Sequence, residues 1–182
     1  MAGSIIDSMP FEIERKFLVD DPPSLDGVRS MDMEAYYISS DPAIRVRIQG
    51  GHPVLAVKNG SGLSRIETPD VPLTQEQFER LKAKAEGRPV RKTRYYVPYG
   101  DHTYELDVYY DHLEGLLTVE VEFGSEDEAR AFVPPEWFGR EVTGIAAYTN
   151  ASLALHGLPG GPEADDAVDP RHCSDRLDFR PA

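Results

Sequence analysis

The sequence is poor in cysteine, in basic residues and in long apolar stretches, and each shortage excludes a class of protein. One cysteine among 182 residues cannot form an internal disulfide, so a reducing compartment, the cytoplasm, is expected. Only 19 lysines and arginines accompany 32 aspartates and glutamates, which argues against a protein that wraps duplex nucleic acid or coats an anionic membrane. No segment approaches the roughly 20 apolar residues of a membrane helix. We therefore expect a soluble protein.

The length of the chain predicts one globular domain and a tail. A chain of 182 residues is long enough for one well-buried core and short for two domains of ordinary size. Glycine, proline and aspartate accumulate from residue 158 onward without any apolar period. We therefore predict a folded domain over residues 1–157 and a disordered acidic tail over 158–182.

Short segments with a period of two residues dominate the domain and predict antiparallel strands. Glycine-rich turns such as residues 50–51 and 59–62 separate them, as hairpins require. Three helical segments interrupt the strands, over residues 74–87, 125–133 and 148–156, the first two with capping-box spacing at their start. Eight strands can close a barrel. The predicted strands span residues 11–19, 34–38, 43–49, 53–58, 64–68, 90–98, 103–110 and 117–123.

The first predicted strand carries charge on one face only. Residues two apart on a strand share a face, so Glu12, Glu14 and Lys16 point one way, while Ile13 and other apolar residues point the other way. Taken alone, such a strand is typical of a sheet with one side in water. The spacing becomes informative only when it recurs.

Five further strands repeat this pattern, and most of the pairs have a single sign. Like charges on one strand face lie only about 7 Å apart, so each pair stores repulsion that a counter-ion relieves. Carboxylate pairs offer hard oxygen ligands for Mg²⁺ or Mn²⁺, and arginine and lysine offer donors for phosphate oxygens. A barrel with both sets inside would bind a metal-bridged polyphosphate. The pairs are Arg45 and Arg47, Arg65 and Glu67, Lys92 and Arg94, Glu105 and Asp107, and Glu120 and Glu122.

These residues occur in the order of a known family. The stretch from Glu12 to Lys16 resembles the ExExK signature of the CYTH superfamily, also called the triphosphate tunnel metalloenzymes. The charged pairs follow in the family's order, with Lys58 between them, and residues 148–153 are similar to its closing Y-x-N-x-S-L motif. The resemblance spans residues 11–155. It implies an α+β fold, an eight-stranded antiparallel β-barrel with helices packed outside.

The resemblance also implies a function and a role for each matched residue. The expected activity is divalent-metal-dependent hydrolysis of a triphosphate, inorganic triphosphate first, with nucleoside or thiamine triphosphate as other substrates, in a monomer or homodimer. Catalytic roles are implied for Glu14, Lys16 and Glu122. Phosphate binding is implied for Lys16, Arg45, Arg47, Lys58, Lys92 and Arg94. Ligands for Mg²⁺ or Mn²⁺ are implied at Glu12, Glu14, Glu105, Asp107, Glu120 and Glu122.

Two departures from the family pattern leave alternatives open. Residues 144–147 read Gly-Ile-Ala-Ala where close bacterial relatives usually carry acidic and basic residues, and Pro69 interrupts a strand that often continues with glutamates. A class IV-type adenylate cyclase, which uses the same tunnel on ATP, is one alternative. A non-catalytic module that binds polyphosphate or nucleotide is the other, since Ala146 and Ala147 cannot attract phosphate.

Overall fold

The computed structural model describes residues 11–60, 63–100 and 102–160. Most of the predicted tail lies outside the described residues, so its disorder and the boundary at residue 157 stay predictions. The described chain is built from antiparallel strands joined by tight turns. Its strands are β1 Phe11–Leu18, β2 Ser30–Ser40, β3 Ala43–Gln49, β4 His52–Asn59, β5 Ser64–Glu67, β6 Val71–Pro72, β7 Glu86–Tyr99, β8 His102–Tyr109 and β9 Leu117–Glu122.

Eight of these strands close into a barrel, as predicted. The sheet runs in the order β3, β2, β7, β8, β9, β1, β5, β4, and pairing of β4 with β3 joins its two ends. Closure removes the sheet edges, so every strand of the ring has a partner on each side. This order places β3 across the barrel from β9.

The ninth strand results from the proline that the sequence analysis singled out. β5 and β6 both pair with β4, and the N–H of Thr68 still donates to the carbonyl of Val57, whereas residues 69 and 70 leave the ladder. Pro69 has no N–H to donate, so the ladder is interrupted there and resumes at Val71.

The described residues form three short α-helices beside these strands: α1 Gln75–Lys82, α2 Glu126–Ala131 and α3 Asn150–His156. Thr74 caps α1 in the predicted capping box with Gln77. α3 packs on β7 and β2 and follows a 3₁₀ turn at Ala146–Tyr148. Among the residues that the structure describes, no helix has the length and apolar character that a membrane-spanning helix requires.

The predicted end of the first helix, near residue 87, was wrong. α1 stops at Lys82, and β7 begins at Glu86, four residues before the predicted start of that strand. The extra residues of β7 are extended because they pair with β2, where Glu86 lies opposite Tyr37. Gly87 allows the close approach of α3 there, since a Cβ at this position would lie 2.4 Å from the carbonyl oxygen of Ala154.

The hydrophobic core forms two clusters, one on the outer face of the strands and one on the lumen face. On the outer face of β1, Ile13 and Phe17 pack into an aromatic cluster with Tyr104, Phe132 and Phe138. The second cluster packs α3 against β2 and β7 through Ala35, Tyr37 and Val90, which also line the interior of the barrel.

Candidate functional site

The barrel encloses a cavity of about 850 Å³. Eleven of the twelve predicted site residues line it. The volume lies within the roughly 300–1,000 Å³ range of pockets that hold small molecules. The sequence-predicted residues on the lining are Glu12, Glu14, Lys16, Arg45, Arg47, Lys58, Lys92, Arg94, Glu105, Glu120 and Glu122.

Carboxylates are concentrated on β1, β9 and β8, where strand register sets them side by side. Glu14 lies directly opposite Glu122, and Glu105 lies directly opposite Glu120. Like charges in such cross-strand pairs destabilise a sheet unless a cation lies between them. Burial is the largest influence on Glu105 and raises its pKa, an effect that the charges of Glu120 and Glu122 reinforce.

Cations are concentrated on β3 and β4, across the barrel from β9 and β8. Nη2 of Arg45 donates to Glu67 at 2.9 Å, and Nζ of Lys58 donates to Glu12 at 2.8 Å and also pairs with Glu67. On β3, Arg47 follows Arg45 on the same face, and its Nη2 donates to Asp70. Each of these three cations is therefore paired with a carboxylate of the lumen.

Arg94 on β7 joins three carboxylates. Its Nε and Nη2 donate to the two oxygens of Asp107 at 2.7 Å each, Nη2 also donates to Glu120 at 2.7 Å, and Nη1 donates to Glu105. Burial would raise the pKa of Asp107, but the positive charges of Arg94 and Lys92 outweigh burial and lower it. Arg94 thus keeps a buried carboxylate ionised.

Asp107 is the predicted site residue that does not line the cavity. Its side chain is 0% exposed, and both of its oxygens accept hydrogen bonds from Lys92 and Arg94. In this arrangement Asp107 orients two cations. Its predicted role as a metal ligand stays a prediction.

The two buried lysines of the lumen have pKa values shifted in opposite directions. Burial lowers the pKa of Lys92 to about 8, and repulsion from Arg94 adds to this effect. Burial also acts on Lys16, but nearby negative charge, including that of Glu120 at 3.1 Å, outweighs it and raises the pKa. Lys16 therefore stays cationic, while Lys92 titrates near neutral pH.

A carboxyl pair lies beside Lys58. Burial raises the pKa of Glu12, and a hydrogen bond with Glu67 raises it further. The same bond and the charges of Lys58 and Arg45 outweigh burial at Glu67 and lower its pKa to about 2. Glu67 is thus the member of the pair that holds its negative charge.

Three buried polar atoms on β3 lack a hydrogen-bond partner within the described part of the chain. They are Nε of Arg45, Nε of Arg47 and Oε1 of Gln49, which follow one another on the lumen face. A buried donor without an acceptor costs about 1–3 kcal/mol. Arg45 and Arg47 both line the cavity, and no described residue satisfies their Nε donors.

Several lining residues escaped the sequence analysis. Tyr37 accepts a long hydrogen bond, 3.5 Å, from Nη1 of Arg45, and Asn150 accepts one from Tyr109 at 2.9 Å. Gln49 and Asp70 also line the cavity. Only the charge of Asp70 offered a signal in the sequence. The side chain of Arg65, predicted to line the tunnel beside Glu67, lies outside the described residues.

The residues that depart from the family pattern lie at this cavity too. Gly144, Ile145 and Ala146 line it, whereas Ala147 packs against the core. This stretch therefore gives the cavity an uncharged portion of wall.

The donor set of the lumen suits a hard divalent cation. Six glutamates line the cavity, and two cross-strand pairs bring four of their carboxylates together. In the described ranges, no group of three or more carboxylates, histidines or cysteines is arranged to hold a metal ion. This arrangement fits Mg²⁺, which uses one or two carboxylates and completes its shell with waters and substrate phosphates.

A closed antiparallel tunnel lined by paired carboxylates and cations defines the triphosphate tunnel class, and comparisons with known proteins agree. No protein-family model matches the chain. An inorganic triphosphatase of Nitrosomonas europaea is 44% identical over 149 residues, 79% of this chain and 97% of that protein. One of Acetivibrio thermocellus is 35% identical over 150 residues, 78% and 92% of the two chains.

A solved structure agrees with these relatives. The crystal structure of an inorganic triphosphatase matches with a TM-score of 0.61 and 40% sequence identity, covering 79% of this chain and 94% of that one. The chain therefore belongs to the inorganic triphosphatase family of the CYTH superfamily.

Proposed function

We propose that this protein hydrolyses inorganic triphosphate to pyrophosphate and phosphate with Mg²⁺ or Mn²⁺. The observation that carries the proposal is the pair of arginines, Arg45 and Arg47, that line an enclosed cavity and whose Nε donors have no acceptor among the described residues. Phosphate oxygens in the cavity would accept from these guanidinium groups, and charge-assisted bonds to phosphate are about twice as strong as neutral ones. The names of the relatives support the same substrate.

The charge of the lining supports the need for a divalent cation. Eight carboxylates and six lysines and arginines line the cavity, so its own side chains do not offer net positive charge. A triphosphate would add several negative charges to a partly enclosed space, where charge is poorly screened. When bound by Glu12, Glu14, Glu105, Glu120 and Glu122, a divalent cation would supply the missing charge and polarise phosphoryl oxygens and water.

The side chains of the lumen would then have three separate roles: binding phosphate, neutralising developing charge and orienting water. Arg45, Arg47 and Lys58 would hold phosphate oxygens from one wall, and Arg94 and Lys92 would do so from the other. Lys16 would neutralise charge that develops as the terminal phosphoryl group is transferred, because its raised pKa keeps it cationic. Glu14 and Glu122 would orient the attacking water from the acidic wall.

The test is an assay of the wild-type protein with inorganic triphosphate, ATP and thiamine triphosphate, with and without Mg²⁺ or Mn²⁺. Phosphate release from inorganic triphosphate that requires the metal is the expected result. Cyclic AMP formed from ATP would instead identify a cyclase. Binding without turnover under every metal condition would identify a non-catalytic module, and either outcome would refute the proposal.

We also propose a cytoplasmic location and a monomeric or homodimeric state. The single cysteine and the excess of acidic residues support the location. Light scattering coupled to size-exclusion chromatography measures the oligomeric state directly, and a larger assembly would contradict the expectation.

A further inference from the structure

Asp70 is held in place beside a predicted phosphate-binding arginine by the interruption of a strand. Thr68 fixes the residues between β5 and β6 on the neighbouring strand β4. The N–H of Thr68 donates to the carbonyl of Val57 at 2.9 Å, and the N–H of Val57 donates to the hydroxyl of Thr68 at 3.1 Å. Pairing resumes at Val71. Asp70 is therefore anchored on both sides and projects toward β3.

The contact between Asp70 and Arg47 is close but leaves the arginine unsaturated. One nitrogen, Nη2, donates to Oδ1 at 3.0 Å and to Oδ2 at 2.9 Å. Nε of Arg47 is buried and has no partner among the described residues. Arg47 and Asp70 both line the cavity, so a phosphate oxygen that bonded the guanidinium of Arg47 would lie within a few ångströms of the carboxylate, and the two would repel each other.

The Asp70–Arg47 pair is also more exposed than other ion pairs of the lumen. The side chain of Asp70 is 32% exposed, whereas those of Glu67 and Glu120, which also pair with cations of the lumen, are 12% and 11% exposed. Exposed ion pairs contribute little to stability. The fold therefore does not depend on Asp70, and its effect should fall on the ligand.

From this geometry we propose that Asp70 sets the affinity of the site for its anionic substrate by competing with phosphate for Arg47. It lowers the affinity of the Arg47 subsite and so tunes KM rather than the chemical step. The inference rests on the proposed function, because it assumes that the ligand is a triphosphate. This role of Asp70 differs from that of a substrate-binding residue, since removal of its carboxylate should improve substrate binding.

The experiment compares Asp70→Asn with Asp127→Asn, which removes the same charge from α2, where the side chain is 97% exposed. Initial rates with inorganic triphosphate and Mg²⁺ should give a KM about fivefold lower for Asp70→Asn, with kcat little changed. Asp70→Glu, which keeps the charge, and Asp127→Asn should both keep the KM of the wild type.

The outcomes separate this inference from the proposed function. A wild-type protein that does not hydrolyse inorganic triphosphate refutes the function itself. If the wild type is active and Asp70→Asn has the same KM as Asp127→Asn, the inference alone is wrong. A raised KM that excess Mg²⁺ restores would make Asp70 a metal ligand and would also overturn it.

Discussion

The inner and outer faces of strand β1 are stabilised by different forces. On the outer face, Phe17 is 1% exposed and its ring lies 5.0 Å from that of Phe138. On the inner face, Glu14 and Lys16 are buried among charges, with Lys16 paired to Glu120. Burial of aromatic surface holds the barrel together, whereas burial of charge costs free energy unless each group is paired. Charge buried at this cost on the inner face is consistent with a face that binds a ligand.

The largest effect is expected where the inner face itself depends on pairing. Arg94→Ala leaves Asp107 and Glu120 without their shared guanidinium, and loss of one partner of a buried pair costs about 3–5 kcal/mol. Urea unfolding measures this loss. Arg91→Ala is the matched control on the same strand, because Arg91 pairs with Glu34 and Asp111 on the exposed face. Equal midpoints for the two variants would contradict the account.

The outer face should affect stability without affecting catalysis. Phe17→Ala removes a fully buried ring from the aromatic cluster and should lower the free energy of unfolding by about 3–5 kcal/mol. Activity per folded molecule should match the wild type at a temperature where the variant is folded. A loss of kcat with no loss of stability would mean that the two faces are not separable.

A smaller effect is expected on the free energy of unfolding at acid pH. The pKa of Glu67 is lowered from its ordinary value of 4.5 to about 2, so below pH 4.5 the unfolded chain binds a proton that the native state does not. The stability that Glu67 contributes is thus complete above pH 4.5 and is lost as the pH falls to about 2. After allowance for solvent screening, Glu67→Gln should make this decline shallower by about 1 kcal/mol.

Urea unfolding at several pH values between 4.5 and 2 tests this expectation. Glu76→Gln, a substitution on the exposed surface of α1, is the control and should leave the decline as in the wild type. A decline that is unchanged in Glu67→Gln would show that the ion pairs of the inner face do not hold Glu67 ionised.

Much of this inner face could be predicted from sequence, because alternation is a local property. Residues two apart on a strand share a face, so Arg45 and Arg47 on β3, like Glu120 and Glu122 on β9, were predicted to share one and do so. Tyr37 could not be found this way, since a tyrosine between apolar neighbours is equally typical of a core.

The features that were missed depend on contacts between strands. Asp107 has the same alternation as Glu105, yet Lys92 and Arg94 from the neighbouring strand cover it completely. Its burial follows from register, which the sequence does not state. Asp70 was hidden for a similar reason, because Pro69 predicted only that a strand would end and not which side chain would then reach Arg47.

The most direct test of the central claim is hydrolysis of inorganic triphosphate followed by phosphorus NMR in the wild type and in Glu122→Gln. The wild type should form one phosphate and one pyrophosphate from each molecule of triphosphate, and only when Mg²⁺ or Mn²⁺ is present. Glu122→Gln should be at least about a hundredfold slower, with an unchanged urea midpoint. Hydrolysis without a metal, or a Glu122→Gln protein as active as the wild type, would contradict the account.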